Sequence, residues 1–342
     1  MLNSMLCEKA LGCLTGIALG DAMGMPLEFM TREEIQNRYG YVDSLLNPSH
    51  SHIHSSLVMG QITDDTEQTL YLAASIIKHK AVTPELSAAA LLKWAKEKDA
   101  FNKSYLGPST KKALEKLMKG EDPHKTGGFS NTVGAAMKIA PVGLINPGDI
   151  DNAVLETVSA SIPTHGSSTA IAAAAAVAAS ISTAALEQAD IQQVFEAGLQ
   201  GAILGAKYGN SYPGASVAKR MELARKIVQD SSGFDEAVIN LCDYIGVDML
   251  STELVPTAFG IMMAAKGDPM KSILAAVNAG GDTDTLAAII GGVTGTMSGP
   301  KVFPKELVAK ILDVNRLYLK ETALGLANLG CERFKKRSAP NS

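Results

Sequence analysis

Apolar residues recur at helical spacing along almost the whole chain, and segments with strand-type alternation are nearly absent. Helix-start signals agree with this periodicity: Thr31 and Glu34 form a capping box, and Thr83 precedes Pro84 at a first helical position. We therefore predict an all-α fold. The predicted helices lie at residues 4–19, 32–38, 65–80, 84–98, 108–119, 132–140, 149–161, 167–186, 191–207, 215–229, 235–245, 252–266, 270–279, 283–298 and 304–334.

No segment of the chain reads as a boundary between two halves. Its 342 residues are enough for one large domain or two ordinary ones. No linker rich in proline, serine or glycine interrupts the helical pattern, and no fixed-period repeat is present. We predict one compact multi-helix domain over residues 1–334. Residues 335–342 are polar and have no apolar face, so we predict a disordered tail there.

Charge and cysteine content narrow the class of protein. Lys and Arg total 31 against 35 Asp and Glu, a net charge of −4 without a basic stripe, which argues against a nucleic-acid partner. The alanine-rich run 170–186 is shorter than the roughly 20 residues that span a bilayer, so we predict a buried helix there and no membrane partner. The sequence leaves the oligomeric state open. Scattered cysteines without metal-binding spacing indicate reduced thiols and a cytoplasmic location; they are Cys7, Cys13, Cys242 and Cys331.

The segment 278–287 places two carboxylates, Asp282 and Asp284, between two apolar runs. Carboxylates entering such a poorly solvated region need a partner. Gly280 and Gly281 permit positive φ, and a following acid or hydroxyl can cap a helix that runs into Leu286. This segment therefore reads as a loop that delivers acids to a helix start.

A second acidic motif lies far upstream. Asp64 and Asp65, flanked by Thr63 and Thr66, again precede a helix. Either motif alone is typical of an N-cap, but a cap needs one acid and each motif has two. We therefore predict that the motifs meet. Their aspartate and threonine oxygens, without a nearby cysteine, favour a hard divalent cation over zinc.

Near the N-terminus, glycines recur every four residues at 12, 16, 20 and 24. This spacing predicts close packing of one helix face, which accounts for Gly12 and Gly16. Asp21 and Glu28 are harder to explain by packing, because they follow a buried face and flank Pro26, where the helix must end.

These motifs, taken in order, resemble the ADP-ribosylglycohydrolase family, which includes the dinitrogenase reductase-activating glycohydrolase and vertebrate ADP-ribosylhydrolases. The resemblance extends from residue 11 to about residue 295. The matching blocks are Gly16-x-Ala18-x-Gly20-Asp21-Ala22-x-Gly24-x-Pro26-x-Glu28, the Thr63–Thr66 motif after Gly60, Ser130-Asn131 with residues 134–141, Thr164-His165, and residues 278–292.

The resemblance implies an all-α domain with a central dinuclear site for magnesium or manganese. By position, Thr63, Asp64 and Asp65 would form one side of the site. Asp282, Asp284 and Thr285 would form the other side. Two divalent cations there would fix the ribose hydroxyls and orient a water for hydrolysis at C1.

The resemblance also assigns chemistry to single residues. Glu28 matches a glutamate near the scissile bond and is our candidate for proton transfer, with the metal-bound Asp65 as the alternative. Ser130, Asn131 and Gly134 belong to a loop that opens a predicted helix, and its free amides would hold a diphosphate. His165 is a candidate substrate contact, and the candidates for stacking on a base are Tyr105, Phe129 and Tyr212.

Two features complicate this assignment. In the nitrogenase-linked branch of the family a catalytic-candidate aspartate stands where this chain has Tyr105, which weakens the case for an ADP-ribosyl-arginine protein substrate. His50, His52 and His54 alternate in a short segment, and we interpret that segment as a solvated loop because no carboxylate or cysteine accompanies it.

Three functions remain for comparison. The leading one is a metal-dependent glycosidase that cleaves the ribosyl C1 bond, to nitrogen or oxygen, in an ADP-ribosyl conjugate, either a small molecule or a modified protein. The second keeps this chemistry for a small nucleoside or nucleotide derivative, as Tyr105 suggests. The third is a non-catalytic protein that binds ADP-ribose or has a structural role.

Overall fold

The computed structural model describes residues 2–338, which form an all-helical domain with no strand in that range. The predicted all-α class is confirmed, and both sequence caps, at Thr31 and Thr83, are present. The helices are α1 Leu2–Gly24, α2 Arg32–Tyr39, α3 Asp64–His79, α4 Pro84–Glu97, α5 Pro108–Met118, α6 Ala140–Leu144, α7 Ile150–Ser161, α8 Ser168–Ala184, α9 Ile191–Gly205, α10 Val217–Asp230, α11 Phe234–Tyr244, α12 Ser251–Ala264, α13 Pro269–Val277, α14 Thr283–Ser298, α15 Lys305–Asn315 and α16 Leu319–Ser338.

The prediction of a helix over residues 132–140 was wrong. Val133–Ala135 is a single 3₁₀ turn, and α6 begins only at Ala140. The amide of Val133 donates to the carbonyl of Met249 at 2.8 Å, which ties this turn to the segment before α12. Pro141 has no amide hydrogen with which to extend an earlier turn.

The predicted helix over residues 304–334 is two helices, α15 and α16. The chain turns at Arg316, whose φ of 51° is left-handed. Asn315, just before it, donates to the carbonyl of Gly60 at 2.8 Å and accepts from the amide of Ile62 at 3.1 Å. The break therefore secures the segment that leads into α3. Residues 335–338, predicted to be in the tail, continue α16, and 339–342 lie outside the described residues.

The centre of the domain is the contact between α1 and α14. A Cβ added at Gly16 would lie 2.0 Å from the carbonyl oxygen of Gly291, and one at Gly20 would lie 2.1 Å from that of Ala287. Gly12 is equally close to Gly295. The four-residue spacing is therefore the contact surface of two antiparallel helices, as predicted for Gly12 and Gly16.

Long apolar helices are buried in this domain. Helix α1 and the turn after it, residues 2–27, form the one described helical segment long and apolar enough to cross a membrane, and 94% of its most apolar 18-residue stretch is buried. Helix α8, predicted to be buried, is inaccessible along nearly all of its length. Both are core helices here, and their apolar composition is explained by the fold.

The α1–α14 contact decides where the acids lie. Helix α1 ends at Gly24 just where α14 begins at Thr283, and the Thr283 hydroxyl donates to the carbonyl of Gly24 at 2.9 Å. Glu28 follows the end of α1, and Asp282 precedes the start of α14. These two acids are therefore brought to one end of the helix pair.

Candidate active site

The two acidic motifs lie side by side at the starts of α3 and α14. The hydroxyl of Thr285 lies 3.4 Å from Asp65 Oδ2, and the hydroxyl of Thr63 lies 3.3 Å from the same oxygen. Asp64, Asp65, Asp282 and Asp284 are all buried. The structure thus brings together the residues that we predicted as metal ligands, although they come from motifs more than two hundred residues apart.

Asp21 supports this arrangement from behind. Its carboxylate is fully buried and accepts from the amide and hydroxyl of Thr63, at 2.9 and 2.8 Å, and from the amide of Thr66 at 3.1 Å. The Thr66 hydroxyl also donates to it. Burial raises the pKa of Asp21 to about 6 although these bonds oppose the shift. Asp21 therefore fixes the first turn of α3, which explains a residue that packing alone did not.

The cluster has more negative charge than the surrounding protein neutralises. Burial, then the charges of Asp21, Asp64 and Asp282, raise the pKa of Asp65 well above its ordinary value. Burial and then Glu28 raise the pKa of Asp282 to about 7. Mutual repulsion of this kind disfavours the ionised cluster unless a positive charge lies among the carboxylates.

Two carboxylate oxygens in the cluster are unpartnered. Among residues 2–338, Asp65 Oδ1 and Asp282 Oδ1 are buried without a hydrogen-bond partner. A buried charged oxygen without a partner is costly. Because the available donors are carboxylate and hydroxyl oxygens, the set fits a hard cation such as Mg²⁺ or Mn²⁺.

Glu28 lies at the edge of this cluster and contacts His54. The Glu28 carboxylate is hydrogen-bonded to His54 Nε2, and His54 Nδ1 lies 3.1 Å from the Ser104 hydroxyl. A Glu28 oxygen, a His54 ring nitrogen and an Asp284 oxygen lie within 4.8 Å of one another. The interpretation of residues 50–54 as a solvated loop was therefore wrong for His54, which is fully buried, while His50 and His52 are exposed.

Sequence analysis also missed Lys138, a fully buried cation behind the cluster. Its ammonium group lies 3.2 Å from both Gln68 Oε1 and the Thr164 hydroxyl, and Gln68 Nε2 donates to Asp64 Oδ2 at 2.7 Å. Burial lowers the pKa of Lys138 to about 8, while Asp64 opposes that shift. Lys138 thus supplies one nearby positive charge. A single lysine inside the apolar run 133–142 was the available signal.

The cluster opens into a small cleft of about 70 Å³. That volume holds ions, waters or the edge of a sugar, but not a nucleotide. Of the predicted substrate contacts, Tyr105, Gly134 and His165 line the cleft. The other four do not line the cleft: Phe129, which is 65% exposed, Ser130, Asn131 and the half-buried Tyr212.

His165 is held firmly in the cleft wall. It is buried, its Nδ1 lies 2.8 Å from the Thr164 hydroxyl, and its Nε2 lies 3.0 Å from the Thr132 hydroxyl. Burial, with the Lys138 charge, lowers the pKa of His165 well below its ordinary value. A neutral imidazole whose two ring nitrogens both have protein partners suits packing of the cleft wall better than ion pairing.

The segment 130–134 does not offer all the free amides that a helix start would. The amide of Ser130 donates to the carbonyl of Gly127 at 3.1 Å, and that of Val133 is bonded to Met249. The carbonyl of Asn131 accepts from the amide of Ser251 at 3.1 Å. Within residues 2–338 the Ser130 hydroxyl is buried without a hydrogen-bond partner, although Ser130 is not one of the residues that line the cleft.

Tyr105 lines another side of the cleft and is held there by Glu67. Its hydroxyl donates to Glu67 Oε2 at 3.3 Å, and Trp94 Nε1 donates to the same oxygen at 2.9 Å. Lys98 forms an ion pair with the other oxygen of Glu67 at 3.1 Å. Tyr105 is therefore a fixed wall of this cleft, and with Glu67 and Lys98 it also lines a neighbouring surface pocket. A larger cavity of about 680 Å³ lies between α1 and α15, lined mainly by apolar side chains and away from the acids.

The fold and this cluster define an all-α protein with a buried carboxylate site at facing helix starts. A family sequence model described as ADP-ribosylglycohydrolase matches residues 2–337. The chain therefore belongs to the ADP-ribosylglycohydrolase family, a family of hydrolases, as the sequence motifs predicted.

Two relatives, one bacterial and one archaeal, extend over almost the whole chain, and a third covers less than half of it. The uncharacterised protein YegU of Escherichia coli is 32% identical over 332 residues, covering 96% of this chain and 99% of its own. An uncharacterised protein of Archaeoglobus fulgidus is 33% identical over 331 residues, covering 92% of this chain and 99% of its own. The ADP-ribosyl-[dinitrogen reductase] glycohydrolase of Rhodospirillum rubrum is 30% identical over 154 residues, 43% of this chain and 49% of its own.

A solved structure has the same fold. It is described as an ADP-ribosylglycohydrolase-related protein complex, and it covers 96% of this chain and 99% of its own with a TM-score of 0.69 at 23% identity. The comparison confirms the predicted architecture of one all-helical domain.

Proposed function

We propose that this protein is a divalent-cation-dependent glycohydrolase that cleaves the bond between ribose C1 and a nitrogen or oxygen in an ADP-ribosyl conjugate. The observation that supports this most is the convergence of Asp65 and Asp282, each with an unpartnered buried oxygen, beside Glu28. Family membership supports the hydrolase class. The names of the Rhodospirillum relative and of the ADP-ribosylarginine hydrolase Tri1 of Serratia proteamaculans support an ADP-ribosylated substrate.

Two divalent cations, Mg²⁺ or Mn²⁺, fit the acidic cluster. Asp64, Asp65 and Thr63 would hold them from α3, and Asp282, Asp284 and Thr285 from α14. When bound, such cations fix the ribose hydroxyls and polarise a water for attack at C1. The raised pKa values of Asp65 and Asp282 agree with cation binding, because a bound cation would supply the positive charge that stabilises both carboxylates in their ionised form.

Glu28 is the group that would move the proton. It is the partly exposed carboxylate of the cluster, with 13% of its side chain accessible, so a substrate can reach it. Hydrolysis at C1 passes through an oxocarbenium-like state, in which a carboxylate takes a proton from water or returns one to the leaving group. Asp65 is the alternative, but its oxygens face the cation site.

The rim of the cleft would hold the rest of the conjugate. Because the enclosed volume admits only the reacting end, the diphosphate and base must lie across the surface. The Ser130 hydroxyl has no hydrogen-bond partner within residues 2–338, and in this proposal it donates to a phosphate oxygen, while His165 contributes to the cleft wall. Phe129, exposed near Ser130, is available to stack on a base.

A small nucleoside is the second candidate substrate. The amides of Ser130 and Val133 are already bonded within the protein, which leaves fewer donors for a diphosphate than a free helix start would supply. Tyr105, in place of an acid, is consistent with a smaller neutral leaving group. We favour the ADP-ribosyl conjugate because the Ser130 hydroxyl remains unpartnered. We also propose a cytoplasmic location, supported by four free cysteines.

The experiment is a substrate panel assayed with Mg²⁺ or Mn²⁺ and again after chelation. It contains ADP-ribosyl-arginine, an O-linked ADP-ribosyl conjugate, and ribosides that lack the diphosphate. We expect release of free ADP-ribose from at least one conjugate, and loss of that activity with chelator. Turnover of the simple ribosides alone would favour the second candidate. Binding of ADP-ribose without turnover of any compound would favour a non-catalytic role.

A further inference from the structure

His54 is the one buried histidine that contacts the candidate proton-transfer group. Its side chain is fully inaccessible, and both ring nitrogens have partners: Nε2 bonds to the Glu28 carboxylate, and Nδ1 lies 3.1 Å from the Ser104 hydroxyl. The loop that presents it is itself fixed, since the amide of His54 donates to the Ser51 hydroxyl at 3.1 Å. His54 therefore joins three segments: the end of α1, residues 51–54 and the loop that leads to Tyr105.

Glu28 needs such a partner because its surroundings repel it. Its carboxylate lies within 4.8 Å of an Asp284 oxygen and lines the same cleft as Asp64 and Asp282, and its charge raises the pKa values of all three aspartates. A carboxylate in this position, with an open path to solvent, gains by rotating away from the cluster. An N–H donor on the cluster side opposes that rotation. His54 Nε2 is placed to be that donor, and the Ser104 hydroxyl can then donate to the unprotonated Nδ1.

We propose that His54 is a positioning residue that holds the Glu28 carboxylate against the acidic cluster, in reach of the reacting C1. The proposal deepens the proposed function and rests on it for its kinetic consequences. His54 does not touch the substrate in this account. Its effect passes through one hydrogen bond, and Ser104 orients the ring that forms it.

Two substitutions at this position separate orientation from general packing. A glutamine amide nitrogen reaches about as far as Nε2, so His54→Gln keeps a donor for Glu28. An asparagine amide reaches only about as far as Nδ1, so His54→Asn keeps a partner for Ser104 but leaves Glu28 unheld. Both variants are polar and similar in size. Thermal unfolding of each, measured first, compares their folding.

We expect His54→Asn to lower kcat about 10- to 100-fold, by analogy with other residues that orient a reacting group, and to leave KM within about threefold. His54→Gln is expected to recover most of that loss. The loss with His54→Asn is expected not to exceed that of Glu28→Gln. Equal kcat for the two variants at residue 54, or a change confined to KM, would overturn the proposal.

A crystal structure of each variant gives a readout that does not depend on activity. We expect the Glu28 carboxylate to stay on residue 54 in His54→Gln and to turn away from the cluster in His54→Asn. Glu28 unmoved in His54→Asn would refute the positioning role. If the wild-type protein hydrolyses no ADP-ribosyl compound, the proposed function fails while these structures still decide the role of His54.

Should His54→Asn not fold, Ser104→Ala tests the same role with a smaller disturbance of the structure. Ser104 is exposed and its substitution removes only the far bond of the ring. We expect a fall in kcat of about three- to tenfold with KM unchanged, the range of one neutral hydrogen bond. An unchanged kcat together with an unmoved Glu28 would contradict the proposal.

Discussion

The amide of Phe29 donates to the carbonyl of Gly281 at 2.8 Å, and the amide of Gly281 donates to the carbonyl of Met30 at 2.9 Å. These two bonds join residues 29 and 30, which follow Glu28, to Gly281, which precedes Asp282. The φ of Gly281 is +73°, and a Cβ there would lie 2.3 Å from the carbonyl oxygen of Val247. The candidate proton-transfer group and the second acidic motif are thus held together by backbone geometry that only glycine permits.

Replacing Gly281 with alanine tests whether this backbone contact between the two loops is rigid. We expect Gly281→Ala to lower the free energy of unfolding by about 1–3 kcal/mol, because the new methyl group is both strained and crowded by backbone. Urea unfolding measures it. Gly233→Ala is the matched control, since a Cβ at Gly233 meets nothing within 4 Å and its backbone is extended. Equal stability of the two variants would show that the loop adapts and that this backbone contact is not rigid.

Removal of a single cluster charge tests the cation site. We expect Asp284→Asn to abolish cation-dependent hydrolysis, by at least about 100-fold, and to remove most of the rise in melting temperature that Mn²⁺ produces. Asp43→Asn is the control because Asp43 is an exposed aspartate. Differential scanning fluorimetry with and without Mn²⁺ gives the second readout. A full Mn²⁺ response in Asp284→Asn would remove Asp284 from the ligand set.

Much of this site follows from local sequence, because acids that directly precede apolar helical runs must lie at helix starts. Asp64 and Asp284 were predicted on that basis, and their meeting followed from the presence of two acids in each motif. His54 could not be found this way. Its immediate neighbours look like a solvated loop, and only the tertiary path of residues 51–54 brings it onto Glu28.

The fold, too, could be predicted from local sequence in some places and not in others. Close packing along one face of α1 was predicted from its glycines every four residues, but the sequence pattern did not identify α14 as the partner helix. The turn between α15 and α16 was not predicted, since Arg316 adopts positive φ without a glycine or proline to signal it. That turn depends on Asn315 bonding to Gly60 and Ile62, residues distant in sequence, so no local pattern contains it.

The stability of the cation-free protein is expected to fall as pH rises from about 4 to 7. Asp21 and Asp282 have pKa values of about 6 and about 7 in the folded state, against an ordinary value of 3.8. The folded protein therefore holds protons that the unfolded chain has lost across this window, so the free energy of unfolding falls as pH rises. The lowered pKa of the buried His165 acts in the opposite direction below about pH 6.5, but it is one group against five aspartates whose pKa values are raised.

The measurement is the melting temperature in chelator at about pH 5 and about pH 8. We expect the lower value at the higher pH, and a larger rise on adding Mn²⁺ there, because the ionised carboxylates are then available to a cation. A melting temperature in chelator that increases across this window would contradict the raised pKa values.

The Ser130 hydroxyl tests where the diphosphate lies. We expect Ser130→Ala to raise KM about two- to tenfold for a conjugate that contains the diphosphate, the cost of one hydrogen bond, and to leave kcat unchanged. Steady-state kinetics on an ADP-ribosyl conjugate and on a simple riboside provide the comparison, with the riboside as the internal control. An equal rise for both substrates would place Ser130 elsewhere in recognition.

The two acidic motifs are expected to form one site for divalent cations. Anomalous diffraction from a crystal soaked in Mn²⁺, collected at the manganese absorption edge, tests it most directly. We predict anomalous peaks within coordination distance of Asp65 and Asp282, at the two oxygens that have no partner within the protein. Full occupancy of Mn²⁺ at other carboxylates, with this cluster empty, would contradict the account.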